Sequence, residues 1–178
     1  MSYNPDKHHR RSIRLKEYDY TQSGLYFITI CVFQRQHLFG KVLNGQMHLN
    51  TFGQIAQNEW EKTFKLRSNL AMQDYTIMPN HIHGIIQITG KETGKVTVHR
   101  DLTNLERFGK PVKGSVPTII RSYKSAVTKR INELRKSPGA IVWQRNYYEH
   151  IIRDEQALNS ISIYIRNNPV KWEDDKFF

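Results

Sequence analysis

Cysteine is almost absent from this sequence, because Cys31 is the only one in 178 residues. A single cysteine excludes an intramolecular disulfide and any zinc site made of cysteine ligands. Since Cys31 lies within an apolar run, we expect it to be a small buried core residue.

Long apolar runs are missing as well. No stretch approaches the length of a membrane span, and no apolar segment follows a basic amino terminus. We therefore expect a soluble, cytoplasmic protein with no membrane-spanning segment. Hydrophobic residues still make up 38% of the chain and aromatic residues 11%, which favours a folded globular protein.

Acidic residues are few relative to basic ones. The chain has 16 Asp and Glu against 27 Lys and Arg, which gives a net charge of +11. This excess favours a polyanionic partner, with nucleic acid as the first expectation and an acidic membrane surface as the second.

The domain organisation is predicted to be simple. Residues 1–17 are rich in Lys, Arg and His with almost no apolar side chains, so we expect an extended basic arm that contacts phosphates through Arg10, Arg11 and Arg14 or stays solvated. Residues 18–172 are predicted to form one domain, interrupted by a long basic loop at about 89–115, and 173–178 form a tail.

The apolar periodicity predicts an α+β fold. The order of elements is β, α, β, β, α, β and then a helix, which indicates a ferredoxin-like antiparallel sheet (βαββαβ) with an additional C-terminal helix. The predicted elements are a strand at 25–33, a helix with a capping box at Thr51–Gln54, strands at 72–78 and from His81, a helix from about 117, a strand at 141–144, and a helix from Asp154 to about Asn168.

The stretch around His81-Ile82-His83 is the first candidate for chemistry. In a strand, residues i and i+2 share a face, so both histidines project together while Ile82 points toward the core. Two imidazoles on a rigid strand supply two of the three protein ligands of an open catalytic metal site. The alternative is a pair of polar residues on the solvated face of a half-buried strand.

The last predicted helix carries the second candidate. Tyr164 and Asn168 stand at i and i+4 and therefore lie on one face, one turn apart. A tyrosine that reaches a phosphate can act as a nucleophile, and the Asn amide oxygen can complete a site for Mg²⁺ or Mn²⁺. The alternative for Tyr164 is a helix aromatic packed on the sheet.

Three motifs in this order resemble those of a known family. They are Asp74-Tyr75-x-Ile77-Met78-Pro79-Asn80-His81-Ile82-His83, the stretch from Trp143 to Arg153, and Tyr164-Ile165-x-x-Asn168-Pro169-Val170-Lys171. Over residues 18–172 the chain resembles the REP-associated tyrosine transposases, which are single-tyrosine HUH endonucleases of the IS200-like superfamily.

The resemblance implies metal binding by His81 and His83, a nucleophilic Tyr164, and Asn168 as third ligand, where related transposases carry a glutamine. The implied activity is a metal-dependent endonuclease and transposase that cleaves and rejoins single-stranded DNA at hairpin-forming palindromic repeats through a 5′-phosphotyrosine. It also implies a bacterial, nucleoid-associated protein, monomeric or homodimeric. The candidate DNA contacts within the domain are Arg121, Lys124, Arg145, Tyr147 and Arg153.

Two other functions remain open from the sequence. A non-catalytic nucleic-acid-binding module on the same sheet explains the charge but gives the histidines and Tyr164 no role. A metal-dependent hydrolase with a water nucleophile uses the histidines and leaves Tyr164 without a function.

Overall fold

The computed structural model describes residues 18–90 and 112–174. The predicted basic arm with Arg10, Arg11 and Arg14 lies outside these residues, as do positions 91–111 of the predicted long loop and 175–178 of the tail. Within the described ranges, every helix is too short or too polar to cross a bilayer.

A four-stranded antiparallel sheet lies at the centre of the fold. Its apolar first strand has neighbours on both sides, as its β-branched composition predicts. The spatial order and the sequence order together give the ferredoxin-like arrangement, so the predicted fold class is confirmed. From one edge to the other the strands are β4 (Leu70–Ile77), β5 (His81–Ile88), β1 (Gly24–Cys31) and β6 (Tyr148–Ile152). A separate hairpin consists of β2 (Gly40–Leu43) and β3 (Gln46–Leu49).

Three helices cover the two faces of the sheet. Helices α1 (Thr51–Lys65) and α2 (Val116–Leu134) pack on one face and enclose the main hydrophobic core. Helix α3 (Glu155–Asn167) covers the other face and packs on a smaller apolar cluster that includes Phe27 and Ile85. Because strand residues alternate between faces, β1 and β5 contribute to both.

The sequence predicted the N-cap of α3 correctly and that of α1 incorrectly. Asp154 caps α3 as predicted, since its carboxylate accepts a hydrogen bond from the Ala157 amide at 2.7 Å. The capping box predicted at Thr51 is wrong. Asn50 is the N-cap of α1, and its side-chain oxygen accepts from the Gly53 amide at 2.9 Å, because asparagine caps at least as well as threonine.

The fourth strand of the sheet also differs from the prediction. Residues 141–144 form only an isolated bridge between Trp143 and Val32, and the strand beside β1 is Tyr148–Ile152. The segment is apolar because Val142 and Trp143 are buried in the core, whereas Ile141 is exposed. The run is apolar because this loop is buried, and the sequence interpretation wrongly assigned it to a strand.

Close packing behind β5 depends on one glycine. Gly84 faces α1, and a Cβ atom there would collide with the indole of Trp60, which is fully buried. A glycine inside a strand commonly marks such an approach. Cys31, expected to be buried, is only half-buried at the end of β1.

Candidate active site

The turn between β4 and β5 is held by its backbone. The Met78 amide donates to the His81 carbonyl at 2.8 Å, which closes the predicted tight connection. The carbonyls of the two turn residues accept hydrogen bonds from the amides of Phe39, at 3.0 Å, and Val32, at 2.8 Å. The first residues of β5 therefore start from a fixed backbone.

His81 and His83 project from β5 toward α3, as the alternation predicts. Both are buried, at 0% and 1% exposure, and their ring centroids are 4.4 Å apart. The alternative of two histidines on a solvated face is wrong. Ile82 points to the opposite face and is fully buried in the main core.

Each imidazole has a hydrogen-bond partner at Nδ1. His81 Nδ1 lies 2.8 Å from the side-chain oxygen of Asn80, and His83 Nδ1 lies 2.8 Å from the Thr29 hydroxyl. An amide oxygen only accepts, so this contact is satisfied by the His81 tautomer that has its proton on Nδ1 and its lone pair on Nε2. This is the tautomer in which a metal-binding histidine is commonly held.

Tyr164 lies directly against this histidine pair. Its hydroxyl is 3.0 Å from Nε2 of His83, and its ring contacts both His83 and Phe27 edge-on. The side chain is 39% exposed. One side of Tyr164 therefore packs on the sheet and the other side is open to solvent. A helix aromatic that served only to pack on the sheet would not need this exposed side.

An ion pair fixes the helix that carries Tyr164 to the sheet. Arg166 of α3 donates two hydrogen bonds to the two carboxylate oxygens of Asp74 on β4, at 2.8 and 2.9 Å. The hydrogen bonds from Arg166 are the main cause of the lowered pKa of Asp74. Burial opposes them, and a hydrogen bond from Ser162 adds a smaller lowering. Asp74 lies where the β4–β5 register shifts, between Met72 and Tyr75. A bulge of this kind re-aims a side chain.

Asn168 lies one turn beyond Tyr164, at the C-cap of α3. It keeps helical dihedral angles, φ −58° and ψ −42°, although a proline follows. The side chain is 2% exposed. A few residues further along the chain, the short 3₁₀ helix Trp172–Asp174 brings the Trp172 ring over His81, with ring centroids 6.0 Å apart.

Comparison with known proteins gives the fold a family context. No protein-family model matches the chain. An uncharacterised Haemophilus influenzae protein is 42% identical over 176 residues, which cover 99% of this chain and 97% of that protein. A second protein of that organism, provisionally named a REP-associated tyrosine transposase, is 26% identical over 157 residues, 86% of this chain and 74% of its own.

Among solved structures, a REP-associated tyrosine transposase bound to a REP hairpin is similar with a TM-score of 0.59. The match covers 94% of this chain and 75% of that one at 18% identity. The resemblance to the REP-associated tyrosine transposases is confirmed. At this identity the solved structure shows that the two proteins share a fold, and the roles of individual residues rest on the geometry above.

A metal at the histidine pair would require donors beyond the two imidazoles. In residues 18–90 and 112–174, no three His, Cys, Asp or Glu side chains are grouped to hold a metal. A metal site at the histidine pair would therefore need a ligand of another type, and the predicted ligand Asn168 is buried one turn beyond Tyr164. Imidazoles are typical ligands of first-row transition metals, and an amide oxygen is a ligand that Mg²⁺ or Mn²⁺ also accepts.

Within the part of the chain that the structure describes, the residues predicted to contact DNA do not form one patch. Arg121 and Lys124 belong to α2, on the other side of the sheet from His83. Arg145 and Arg153 are exposed, and Tyr147 is half-buried against the main core.

Lys124 is engaged within the protein. Its ammonium donates to the Gln144 carbonyl at 2.6 Å and to the Asn146 carbonyl at 3.3 Å, and burial lowers its pKa to about 8. The indole of Trp143 donates to the Lys124 carbonyl at 3.1 Å. Lys124 thus holds the segment that leads into β6.

Sequence interpretation missed the residues that surround the histidines. Thr29 and Phe27 contact the ring of His83. Trp172 contacts the ring of His81, and Asn80 is hydrogen-bonded to Nδ1 of His81. One signal was available, because Thr29 is a polar residue within the otherwise apolar run of β1.

Proposed function

We propose that this chain is a metal-dependent single-stranded DNA endonuclease and transposase of the REP-associated tyrosine transposase type. It cleaves and rejoins DNA at hairpin-forming palindromic repeats through a 5′-phosphotyrosine. One observation carries the proposal: the Tyr164 hydroxyl lies 3.0 Å from His83 Nε2, although 81 residues separate the two in sequence. A nucleophile and a candidate metal ligand are therefore in one site.

The reaction is an in-line displacement at phosphorus. The Tyr164 oxygen forms a bond to the phosphorus as the bond to the 3′ oxygen breaks, and that oxygen leaves as a 3′-hydroxyl after taking up a proton. The phosphotyrosine ester conserves the energy of the phosphodiester. A 3′-hydroxyl can therefore reverse the step and rejoin the strand without a nucleotide cofactor.

His81, His83 and Asn168 are the residues that would hold the cation. A bound Mg²⁺ or Mn²⁺ supplies Lewis-acid polarisation and orientation of the scissile phosphate. His83 Nε2 cannot accept the Tyr164 proton and serve as a ligand at once. With a cation bound to His83, the hydroxyl would have to turn from His83 toward the phosphate before attack. Because a tyrosine hydroxyl is ordinarily protonated at neutral pH, its proton would have to be lost during attack.

The substrate is expected to be single-stranded near the scissile bond. Tyr164 sits on a helix with its ring half-covered by the sheet, so a stacked duplex cannot easily align its backbone with the hydroxyl. A net charge of +11 suits a nucleic acid, and the fold neighbour is a transposase bound to a REP hairpin. Hairpin DNA with unpaired tails is accordingly the proposed substrate.

One assay tests the proposal. The protein is incubated with Mn²⁺ and end-labelled hairpin oligonucleotides that carry the repeats flanking its gene, and the products are separated on denaturing gels. We expect a nick together with a protein–DNA adduct, and neither with Tyr164→Phe, which should still bind the hairpin. A nick without an adduct would indicate a water nucleophile, and binding with neither product would favour a non-catalytic binding module.

A further inference from the structure

The catalytic face of the sheet extends beyond the candidate site onto the edge strand β6. In the antiparallel register, His83 lies opposite Thr29, and Thr29 lies opposite Tyr148. Residues opposite one another across a sheet share a face. Tyr148 is therefore on the same face as the histidine pair, in the same row, and it is 52% exposed.

A single phenylalanine connects Tyr148 to the nucleophile. The Phe27 ring stacks on His83 with centroids 5.4 Å apart. It also makes edge-on contacts to Tyr164 and Tyr148, each with a centroid separation of 6.2 Å. A group resting on the exposed part of Tyr148 would thus lie close to the atoms around Tyr164.

A cavity adjoins Tyr148 at this edge. It has a volume of about 460 Å³, and its lining includes His150, Arg153 and Ala157 as well as Tyr148. Tyr20, Glu149, Ile151 and Asp154 also line it, so the cavity reaches from the catalytic face to the side of the main core.

The chemistry of this lining decides what it can hold. Both carboxylate oxygens of Glu149 are buried, and the Asp154 carboxylate accepts the N-cap hydrogen bond from the Ala157 amide, so the half-exposed ring of Tyr148 is the feature open to a ligand. A flat aromatic ring offers a nucleobase a stacking surface. The cavity therefore suits a base.

The neighbouring tyrosine cannot take this role. Tyr147 precedes the first residue of β6, is half-buried and packs against the main core. The sequence places two tyrosines side by side, and the fold assigns one to the core and one to the catalytic face.

We propose that Tyr148 and the adjoining cavity bind an unpaired nucleobase of the strand that passes through the site, next to the scissile phosphate. The proposal rests on the proposed function in one respect, namely that the single strand reaches Tyr164. The partner is single-stranded DNA, and the bound moiety is the base. Tyr148 supplies the stacking surface, and the strand continues across β6 away from α3.

Binding to an unstructured probe tests this without requiring cleavage. Fluorescence anisotropy is measured in EDTA with a labelled dT₁₂ and with a twelve-unit abasic strand of the same charge. The wild-type protein should prefer dT₁₂. Tyr148→Ala should weaken dT₁₂ binding about five- to one-hundred-fold and leave binding of the abasic strand unchanged, because one stacked base is lost.

Two further variants complete the experiment. Tyr148→Phe keeps the stacking ring and should bind dT₁₂ like the wild type. Leu66→Ala truncates a side chain that is 69% exposed at the end of α1, on the other side of the sheet, and should bind both strands normally. Equal losses on both strands, no loss on dT₁₂, or a wild-type protein that does not prefer dT₁₂ would each overturn the proposal.

The outcome separates this inference from the proposed function. If the wild-type protein nicks hairpin DNA and Tyr148→Ala matches it in nicking and in dT₁₂ binding, the base-binding surface is wrong and the enzyme assignment stands. If no hairpin is nicked while Tyr148→Ala still loses dT₁₂ affinity alone, the surface stands and the enzyme assignment fails.

Discussion

The two faces of the sheet differ in what they bury. The face under α1 and α2 buries the large apolar core around Trp60 and Tyr123. The buried polar side chains on this side belong to α1, α2 and the α2 N-cap, and they are Glu59, Thr63, Ser115 and Asn132. The face under α3 has a small apolar cluster, and beside it lie buried polar side chains. These polar residues are Thr29, His81, His83, Ser162 and Asn168.

This difference indicates a division of labour. Burial of apolar surface is the main source of folding free energy, so the α1–α2 face supplies most of the stability. Buried polar groups cost free energy unless they are hydrogen-bonded, and on the α3 face two of them are the adjacent imidazoles of His81 and His83, which indicates a functional role for that face. Strand β5 joins the two, since Ile82 and Ile86 point into the core and His81 and His83 into the site.

The largest expected effect is on the polar face. His81→Ala should lower metal-dependent nicking about a thousandfold, because it removes a ligand worth several kcal/mol of transition-state stabilisation. Nicking rates at saturating Mn²⁺ and calorimetric Mn²⁺ binding measure it. His48→Ala, which changes an exposed histidine of β3, is the control and should be normal. An unchanged rate in His81→Ala would remove this histidine from the site.

A smaller effect should come from the residue behind His83. Thr29→Val keeps the shape of the side chain but removes the hydroxyl bonded to His83 Nδ1, so Mn²⁺ affinity should fall about 10- to 100-fold. Thr29→Ser retains the hydroxyl and should restore the affinity. Equal weakening in both variants would mean that packing, and not the hydrogen bond, is what Thr29 contributes.

A change on the apolar face should lower stability and leave nicking unchanged. Gly84→Ala places a methyl group against the Trp60 indole and should lower the free energy of unfolding by about 1–3 kcal/mol. Nicking per folded molecule should stay normal. Gly24→Ala is the matched control, since its new Cβ atom would meet Tyr26 at an ordinary 3.6 Å. Loss of nicking without loss of stability in Gly84→Ala would contradict the division between the faces.

The smallest effect concerns the ion pair between α3 and β4. The folded-state pKa of Asp74 is lowered, chiefly by Arg166, so its stabilisation is present above the ordinary carboxyl pKa of about 3.9 and is lost as the pH falls through the folded-state value. Asp74→Asn should therefore be slightly less stable than the wild type at pH 7, with the difference shrinking as the pH falls below the ordinary carboxyl pKa of about 3.9. Urea titrations at several pH values measure it. A stability difference that grew as the pH fell would contradict the lowered pKa of Asp74.

Local patterns predicted most of the fold and half of the site. Alternation alone places His81 and His83 on one face, and the i, i+4 spacing relates Tyr164 to Asn168. The strand predicted at 141–144 failed because an apolar run records burial but does not distinguish a strand from a buried loop.

The remaining half of the site depends on contacts between distant residues. The hydrogen bond between Tyr164 and His83 spans 81 residues, and the one between Thr29 and His83 spans 54. No local period encodes such pairs, since they follow from the register of β1 on β5 and from the ion pair that seats α3. The choice between Tyr147 and Tyr148 likewise required the observed start of β6.

Location of the covalent adduct tests the central claim most directly. After reaction with hairpin DNA, trypsin should release residues 154–166, a peptide in which Tyr164 is the only tyrosine. Tandem mass spectrometry should find the nucleotide mass on that peptide, at Tyr164. An adduct on residues 146–153, which contain Tyr147 and Tyr148, or nicking with no adduct on any peptide, would contradict the assignment of Tyr164 as the nucleophile.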